Sequence, residues 1–176
     1  MKHRNNMKIV IVGGGKIGRA LARQLVHDGY EITVIDRDEE VVNNLGNSMD
    51  IICLQGNGAS CATLQDMNVE NADIFIAVTD SDEMNILSCM TAHMLGAKHT
   101  IARIRDVDYA RQYRFYRDRM GISMIINPEL ATAMEIYRLL RFPLATRVEV
   151  FAKGRAELVE MVSEEDSPLN GKTLIE

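Results

Sequence analysis

A glycine-rich turn is the feature of this sequence most directly tied to chemistry. Gly13, Gly15 and Gly18 form the pattern G-x-G-x-x-G, directly after an apolar β-branched run and at the start of a helix-length segment. In that context the first glycine permits a tight turn, the second leaves room for a pyrophosphate, and the third lets helix and strand pack closely. The helix N-terminus would offer unpaired N–H groups to the phosphates. The alternative is that the glycines serve only a tight strand-to-helix turn.

An acidic residue supports the dinucleotide interpretation. Asp36 ends the second apolar run, 18 residues after Gly18, close to the spacing of about 20 at which a carboxylate accepts hydrogen bonds from a ribose. Arg37 follows and would suit a 2′-phosphate, but the adjacent carboxylate would repel that phosphate. The pair therefore favours NAD(H) over NADP(H). Ordinary solvation of a strand end is the alternative for both residues.

Polar residues also follow the later apolar runs. Ligands of open α/β sheets bind outside the carboxyl edge of the strands, where the strand order reverses. Asn57 and Gly58 are therefore expected near an adenine ring, Thr79 and Asp80 near ribose or phosphate, and Arg103 beside a phosphate. Each is equally consistent with turn chemistry, a helix N-cap or a solvated charge.

Six short strands are predicted to position these residues, because β-branched apolar runs recur along the chain. The runs are Lys8 to Val12, Glu31 to Asp36, Asp50 to Leu54, Asp73 to Thr79, Thr100 to Ile104 and Ser123 to Ile126. Helical spacing separates them, as in Ile17, Leu21 and Leu25 and in Ile86, Met90 and Met94. Alternating strands and helices with nearly continuous apolar strands predict a doubly wound parallel sheet, a Rossmann-like α/β fold.

The pattern changes in the last third of the chain, which holds all three prolines. Pro128 suits the first turn of a helix and Pro143 its end, so one long apolar helix is predicted between them. Residues 147–152 and 157–162 flank Lys153-Gly154-Arg155 and predict a hairpin. We therefore expect a leader (1–7), a nucleotide-binding domain (8–127), a long helix (128–143) and a small second unit (144–176).

Several other functional classes are disfavoured by the sequence. A net charge of −5 has the wrong sign for a protein held by nucleic-acid phosphates, so no nucleic-acid partner is expected. No apolar run approaches the roughly 20 residues of a membrane-spanning helix. The four histidines form no metal-ligand cluster, and the three cysteines show no paired spacing, which favours a reducing cytoplasm. The arginines between positions 105 and 119 alternate with aspartates and tyrosines, as on a solvated amphipathic helix.

Eight short motifs occur along the chain: KIVIVGGGKIG at 8–18, ITVID at 32–36, QGNG at 55–58, AVTDSDEMN at 77–85, IARIRD at 101–106, INPE at 126–129, IYRLL at 136–140 and FAKG at 151–154. With these motifs, the chain resembles the KTN/RCK (TrkA N-terminal, regulator of K⁺ conductance) family over nearly its whole length. Many members carry an aspartate where Asn57 stands. The neutral side chain leaves the adenine-side contact possible but the nucleotide preference open.

The resemblance implies a non-catalytic regulatory subunit that binds NAD or NADH, with ATP or ADP possible at the same site. In this family, homodimers assemble into a ring on the cytoplasmic face of the membrane and gate a potassium-uptake transporter subunit of the TrkH/TrkG type. The expected nucleotide-binding residues are Gly13, Gly14, Gly15, Lys16, Ile17, Gly18, Asp36, Asn57, Gly58, Thr79, Asp80 and Arg103.

The resemblance also bears on the last third of the chain. The helix after Asn127 would cross to a partner subunit, and its apolar residues give it a broad apolar face; packing on its own sheet is the alternative. The hairpin and the segment 167–173 resemble the start of the family's C-terminal subdomain, of which the rest would be missing here.

Two further functions remain as alternatives. An NAD-dependent oxidoreductase would share the glycine turn, but it needs a substrate domain and an acid or base facing the nicotinamide, for which the sequence offers no motif. A redox-sensing transcription factor needs a DNA-binding motif, which the acidic sequence does not show. A regulatory, non-enzymatic function is therefore preferred.

Overall fold

The computed structural model of this chain describes residues 7–142, 145–151, 155–163, 166, 167 and 170–173. These residues form two compact units, the first ending at Pro128 and the second beginning at Glu129. The expected leader, apart from Met7, lies outside the described residues. So do Pro143, Pro168 and the hairpin turn predicted at Lys153 and Gly154.

A parallel sheet of six strands forms the centre of the first unit. The strands are β1 (Lys8–Val12), β2 (Glu31–Asp36), β3 (Ile52–Gln55), β4 (Ile74–Ala77), β5 (His99–Arg103) and β6 (Met124–Ile126). Their order in the sheet is β3-β2-β1-β4-β5-β6, and every neighbouring pair is parallel. The strand order reverses between β1 and β4, which places the switch point beside the glycine turn. The predicted doubly wound, Rossmann-like fold is confirmed.

Helices connect successive strands across the faces of this sheet. They are α1 (Lys16–His27), α2 (Glu39–Ser48), α3 (Cys61–Asp66), α4 (Asp82–Leu95), α5 (Val107–Arg111) and α6 (Tyr113–Met120). A short 3₁₀ helix, Val69–Asn71, precedes β4. The arginine-rich segment predicted as one amphipathic helix is thus two short helices, which meet at Gln112.

Alternate residues of β1 enter two separate hydrophobic cores, one on each face of the sheet. Ile9 and Ile11 pack in a cluster with Leu45 of α2, whereas Val10 and Val12 belong to a cluster with Leu64 of α3. Burial on both faces explains why this strand is apolar throughout instead of alternating with polar residues.

The apolar spacing on α4 marks only part of its buried face. Ile86 packs against the core, whereas Met94 is 82% exposed. The buried residues are Asp82, Asn85, Ser88, Cys89 and Ala92. Small and polar side chains allow α4 to lie close to the sheet and to hydrogen-bond with the ends of β4 and β5. Hydrophobic spacing therefore predicted the helix but not the small and polar residues that face the sheet.

Two strand boundaries differ from the predicted ones by two residues, and several others differ by one. The third strand begins at Ile52 instead of Asp50, and the fourth ends at Ala77 instead of Thr79. The Val78 N–H still donates to the Val12 carbonyl of β1, whereas the Thr79 N–H bonds to a side chain of α4.

The second unit contains a helix and a hairpin. Helix α7 (Pro128–Arg141) begins at the predicted proline and leads to strands β7 (Ala145–Phe151) and β8 (Ala156–Met161). The two strands are antiparallel and begin one or two residues earlier than predicted, with an irregularity between Ala145 and Arg147. Arg141 donates a hydrogen bond to Glu157 of β8 at 3.1 Å.

Candidate functional site

The glycine turn after β1 is held by contacts with both neighbouring strands. Gly13 adopts φ +100°, a conformation open mainly to glycine, and its N–H donates to the Ile35 carbonyl at 2.9 Å. A β-carbon at Gly13 would lie 2.9 Å from the Thr79 backbone nitrogen. The turn thus passes directly against the segment that follows β4, on the other side of the switch point.

Gly15 and Gly18 differ sharply in their surroundings. A β-carbon at Gly18 would lie 1.8 Å from the carbonyl oxygen of Gly13, so α1 packs against the turn at a distance that only glycine allows. A β-carbon at Gly15 would meet no atom within 4 Å. The turn is therefore closely packed on the α1 side and open at Gly15, where a phosphate is expected.

The N-terminus of α1 lies at this opening. Gly15 is the N-cap residue, and no side chain caps the helix. Lys16 is exposed, whereas the Ile17 side chain packs against the core beside α1. A helix N-terminus without a side-chain cap presents N–H donors and a partial positive charge, the combination that binds phosphate groups. Ile17 can therefore contribute its backbone but not its side chain.

Asp36 connects the end of β2 to the glycine turn. Its Oδ2 accepts a hydrogen bond from the Gly14 N–H at 2.6 Å, and its Oδ1 accepts one from the Asp38 N–H at 3.0 Å. A carboxylate offers about four acceptor positions, so two remain for hydroxyl groups of a ligand. A β-carbon at Gly14 would come within 2.7 Å of Val41 and Leu45 on α2. Gly14 therefore lets α2 and the Asp36 carboxylate approach the turn.

Asn57 and Gly58 follow β3 and have different environments. The Asn57 side-chain oxygen accepts hydrogen bonds from Arg37 at 2.9 Å and from the Ala59 N–H at 3.1 Å, while Asn57 itself stays exposed. Gly58 is buried, and a β-carbon there would lie 2.1 Å from a methyl group of Val12. Asn57 is thus accessible to a ligand, whereas Gly58 brings the loop close to the end of β1.

Thr79 is held by Asn85 of α4. Its N–H and hydroxyl both donate to Asn85 Oδ1, at 2.8 and 2.7 Å. The Asn85 amide nitrogen donates in turn to the carbonyls of Thr79 and Arg103, at 3.2 and 2.9 Å. This fully buried side chain joins the ends of β4 and β5.

Arg103 lies on β5 and is only 9% exposed. Its Nη1 donates to the Thr79 carbonyl at 3.0 Å. The side chain that was expected beside a phosphate is therefore directed to the backbone of the neighbouring strand end. Asp80 is exposed, and its carbonyl accepts a hydrogen bond from Arg105.

Asn85 and Asp82 are two site-forming residues that sequence reasoning missed. Asp82 is 7% exposed, and its Oδ2 accepts from the N–H groups of Arg105 and Asp106, both at 2.8 Å. Both residues occupy the first turns of α4, within the segment 77–85 already noted as a motif. The sequence signal for these two residues was their helical spacing on one side of α4. Polar residues at such positions are more often solvated, so the spacing alone did not indicate burial.

A polar network surrounds the first turn of α4. The pKa of Glu83 is lowered because its own backbone N–H and the hydroxyls of Ser81 and Tyr109 hydrogen-bond to its carboxylate. The pKa of Tyr109 is raised, chiefly by the same hydrogen bond to Glu83. These bonds connect the loop after β4 with α5, so the two segments are linked beside the site.

The strand ends thus form one connected edge, in which hydrogen bonds and close contacts join β1 to β2 and β4, β2 to β3, and β4 to β5. Among the described residues, no group of three or more histidine, cysteine or acidic side chains is arranged to hold a metal ion. Within the same ranges, no helix is long and apolar enough to cross a membrane.

Residues 9–128 match the family model of the TrkA-N domain. The chain belongs to the TrkA-N domain family. The Trk system potassium uptake protein TrkA homolog of Methanothermobacter thermautotrophicus is 34% identical over 155 residues, which cover 88% of this chain and 70% of that protein. TrkA of Halomonas elongata is 36% identical over 170 residues, or 96% of this chain and 37% of its own length. The chain thus spans well under half of this second relative.

Solved structures of TrkA-N and RCK domains share this fold. The TrkA-N domain of the Escherichia coli inner membrane protein YbaL superimposes with a TM-score of 0.67 at 20% identity, covering 80% of this chain and 99% of that domain. The GsuK channel bound to NAD gives a TM-score of 0.60 at 20% identity, covering 85% of this chain and 25% of the channel chain. At such identities these likenesses extend to the fold alone.

Proposed function

We propose that this chain is the nucleotide-binding regulatory domain of a potassium-uptake system and that NAD or NADH binds at the glycine turn. ATP or ADP is a second ligand class for the same site. The name shared by its relatives, Trk system potassium uptake protein, supports the transport role. GsuK, which has the same fold, has been solved bound to NAD.

The observation that carries this proposal is the open space at Gly15. The surrounding turn is packed so tightly that β-carbons at Gly13, Gly14 and Gly18 would clash, yet a β-carbon at Gly15 would contact nothing. This opening lies at the N-terminus of α1, which has no side-chain cap. A pyrophosphate suits both features, because it needs close backbone approach and N–H donors.

Each expected residue then has a role in holding the nucleotide. The backbone of Gly13, Gly14, Gly15, Lys16, Ile17 and Gly18 would surround the phosphates, and Asp36 would accept hydrogen bonds from a ribose. Asn57 would contact the adenine side, with Gly58 shaping the loop. Thr79 and Asp80 would border the other half of the ligand, and Arg103 would act through the Thr79 backbone. A bound nucleotide would supply a signal of the cell's redox or energy state.

Regulation rather than catalysis is the preferred interpretation. Nucleotide binding can bias a gate only if the ligand binds two arrangements of the domains with different affinity. We propose that two copies form a homodimer through α7 and that the dimers assemble into a ring, which acts on a TrkH/TrkG-like membrane subunit from the cytoplasmic side. Exposed apolar residues on α7 support this assembly: Leu130, Met134, Ile136, Tyr137, Leu139 and Leu140.

Calorimetric titration of the purified chain with NAD, NADH, NADPH, ATP and ADP tests the binding proposal. We expect saturable one-site binding of at least one adenine nucleotide, together with a rise in melting temperature, since a ligand of the folded state stabilises it. Absence of binding by all five would refute the site. Oxidation of NADH by small carbonyl compounds at enzymatic rates would instead favour the oxidoreductase alternative.

The assembly proposal has its own test. Leu140 is 75% exposed, so Leu140→Glu should leave folding intact while placing a charge in the α7 contact. Light scattering after size-exclusion chromatography should give a dimer or larger species for the wild-type chain and a smaller one for the variant. Gln65→Glu, which adds the same charge at an exposed position of α3, is the control. A wild-type monomer would exclude assembly through α7 in this chain.

A further inference from the structure

Arg37 stands directly after Asp36, and its guanidinium bridges three elements at the switch point. Its Nη2 donates to Asn57 Oδ1 at 2.9 Å, in the loop after β3, and lies 3.7 Å from the sulfur of Met84 on α4. The backbone of Arg37 is held as well, because Gln55 donates to its carbonyl at 3.2 Å. An exposed arginine would ordinarily sample many rotamers, and these bonds restrict this one.

Among the residues that the structure describes, no carboxylate forms an ion pair with Arg37. Ion pairs to acidic side chains hold Arg105, Arg111, Arg117, Arg138, Arg141 and Arg147. In contrast, both side-chain partners of Arg37 are neutral. The neighbouring Asp36 directs its oxygens to the N–H groups of Gly14 and Asp38. The guanidinium is therefore oriented by its contacts but keeps its full charge.

Arg37 is exposed, and it contacts Asn57 through an N–H group at the edge of the guanidinium. A guanidinium donates hydrogen bonds in its own plane, so the bond to Asn57 orients the plane without covering either face. The cation–π contacts found among the described residues involve Arg117 and Arg141, not Arg37. An oriented, exposed guanidinium face stacks well on a flat heterocycle, and both stacking and the cation–π attraction stabilise such a pair.

We propose that Arg37 is the base-recognising residue of the nucleotide site and stacks on the adenine ring of the ligand. This inference rests on the proposed function, which places the ribose at the adjacent Asp36. Asn57 then has a specific part, since it orients the guanidinium through Oδ1 and leaves its own NH₂ group to donate to a ring nitrogen. A neutral residue at position 57 suits this arrangement, because an aspartate there would draw the guanidinium into an ion pair.

Titrations of ADP and NADH, with NADPH for comparison, into the wild-type chain, Arg37→Ala and Arg37→Lys test the proposal. Lysine keeps the charge but has no planar face. Stacking predicts that both variants lose about tenfold in affinity for both ligands, with little dependence on salt. Arg111→Ala, at an exposed position of α5, should bind both nucleotides with the affinity of the wild-type chain. Without nucleotide, all four proteins should remain folded at the temperature of the titrations, which their melting temperatures check.

A side-chain NMR signal separates stacking from a merely structural effect. The Arg37 Nε–H proton, assigned by its loss in Arg37→Lys, should move upfield when ADP is added, because it would enter the ring current of the adenine. Wild-type affinity in Arg37→Lys, or in both variants, would overturn the stacking role while leaving the site intact. A salt-sensitive loss confined to NADPH would overturn it in favour of a 2′-phosphate contact. Failure of the wild-type chain to bind ADP and NADH would refute the proposed function itself.

Discussion

The carboxylate of Asp36 accepts a hydrogen bond from the backbone N–H of Gly14 at 2.6 Å. This bond joins the end of β2 to the glycine turn after β1, so the residue expected to bind a ribose also shapes the turn expected to bind phosphate. The structural role of this side chain and its proposed ligand-binding role are therefore coupled, and we expect substitutions at Asp36 to affect both.

Replacement of Asp36 by alanine should lower the free energy of unfolding by about 1–2 kcal/mol, because the N–H groups of Gly14 and Asp38 lose their acceptor. It should also weaken nucleotide binding. Urea unfolding and calorimetry measure the two effects. Asp36→Asn keeps one acceptor oxygen and should recover part of the stability. Asp50→Ala, at an exposed position before β3, is the control, and equal stability of both alanine variants would contradict the coupling.

Alanine at Gly15 and at Gly18 should separate ligand binding from folding. Gly15 is extended, with φ −64° and ψ −162°, and has open space around it, so Gly15→Ala should cost less than about 1 kcal/mol. Its methyl group should nevertheless reduce nucleotide affinity at least tenfold, by calorimetry, because it occupies the phosphate position. Gly18→Ala forces a backbone clash and should cost about 3 kcal/mol or more, measured by urea unfolding. Similar unfolding free energies for the two variants would disprove this distinction.

Asn85→Ala should destabilise the first unit by about 3 kcal/mol, because buried groups of Thr79 and Arg103 lose their hydrogen-bond partners. Hydrogen exchange should show faster exchange of the Thr79 amide than in the wild-type chain. Ser88→Ala, one turn later on the same buried face, is a matched control that removes a hydroxyl group with no hydrogen-bond partner. A loss at Ser88 as large as that at Asn85 would argue against a special role for the Asn85 amide.

Asp73 provides a pH-dependent prediction. Its pKa lies below the ordinary value of 3.8 because Lys98 donates to its side chain, at 2.7 Å, and the Lys8 N–H also bonds to it. A depressed folded-state pKa stabilises the protein above the unfolded pKa, and this contribution is lost as the pH falls through the folded value. Asp73→Asn should therefore lower the melting temperature at pH 6, and the difference should shrink progressively below about pH 4.

The control for that experiment is Asp66→Asn at an exposed position of α3, which should show no comparable pH-dependent difference. A deficit in Asp73→Asn that stays constant between pH 6 and pH 3 would mean that packing, rather than ionisation, accounts for it.

Much of the first unit could be predicted from residue types and spacing. The apolar run at Lys8–Val12 predicted a buried parallel strand because burial on both faces leaves no polar positions. Gly13 and Gly18 predicted a tight turn because their backbone conformation and close packing exclude side chains. Asp36 was identified by its separation in sequence from the glycine turn. Burial of a strand and formation of a tight turn are local requirements, so residues close together in the sequence indicate them directly.

The hydrogen-bond partners within the site were not predictable in this way. Arg103 was expected beside a phosphate because it ends a strand at the ligand edge, and that contact stays a prediction; residue spacing did not indicate that its Nη1 also donates to the Thr79 carbonyl, 24 residues away. The apolar spacing on α4 likewise did not indicate that the polar Asn85 and Asp82 are buried. Both arrangements depend on which polar groups of a neighbouring element need a hydrogen-bond partner.

The sequence alone therefore determined the order of strands and helices, the glycine turn and the family. The elements and the turn follow from periodicity, burial of apolar side chains and the conformational freedom of glycine, all of which act over a few residues, whereas the family was indicated by the resemblance of the motifs. Only the tertiary structure decided that Asp36 binds Gly14, that Asn85 joins Thr79 to Arg103 and that Arg37 is oriented by Asn57. These contacts form between segments far apart in the chain, where the sheet brings unpaired polar groups within hydrogen-bonding distance.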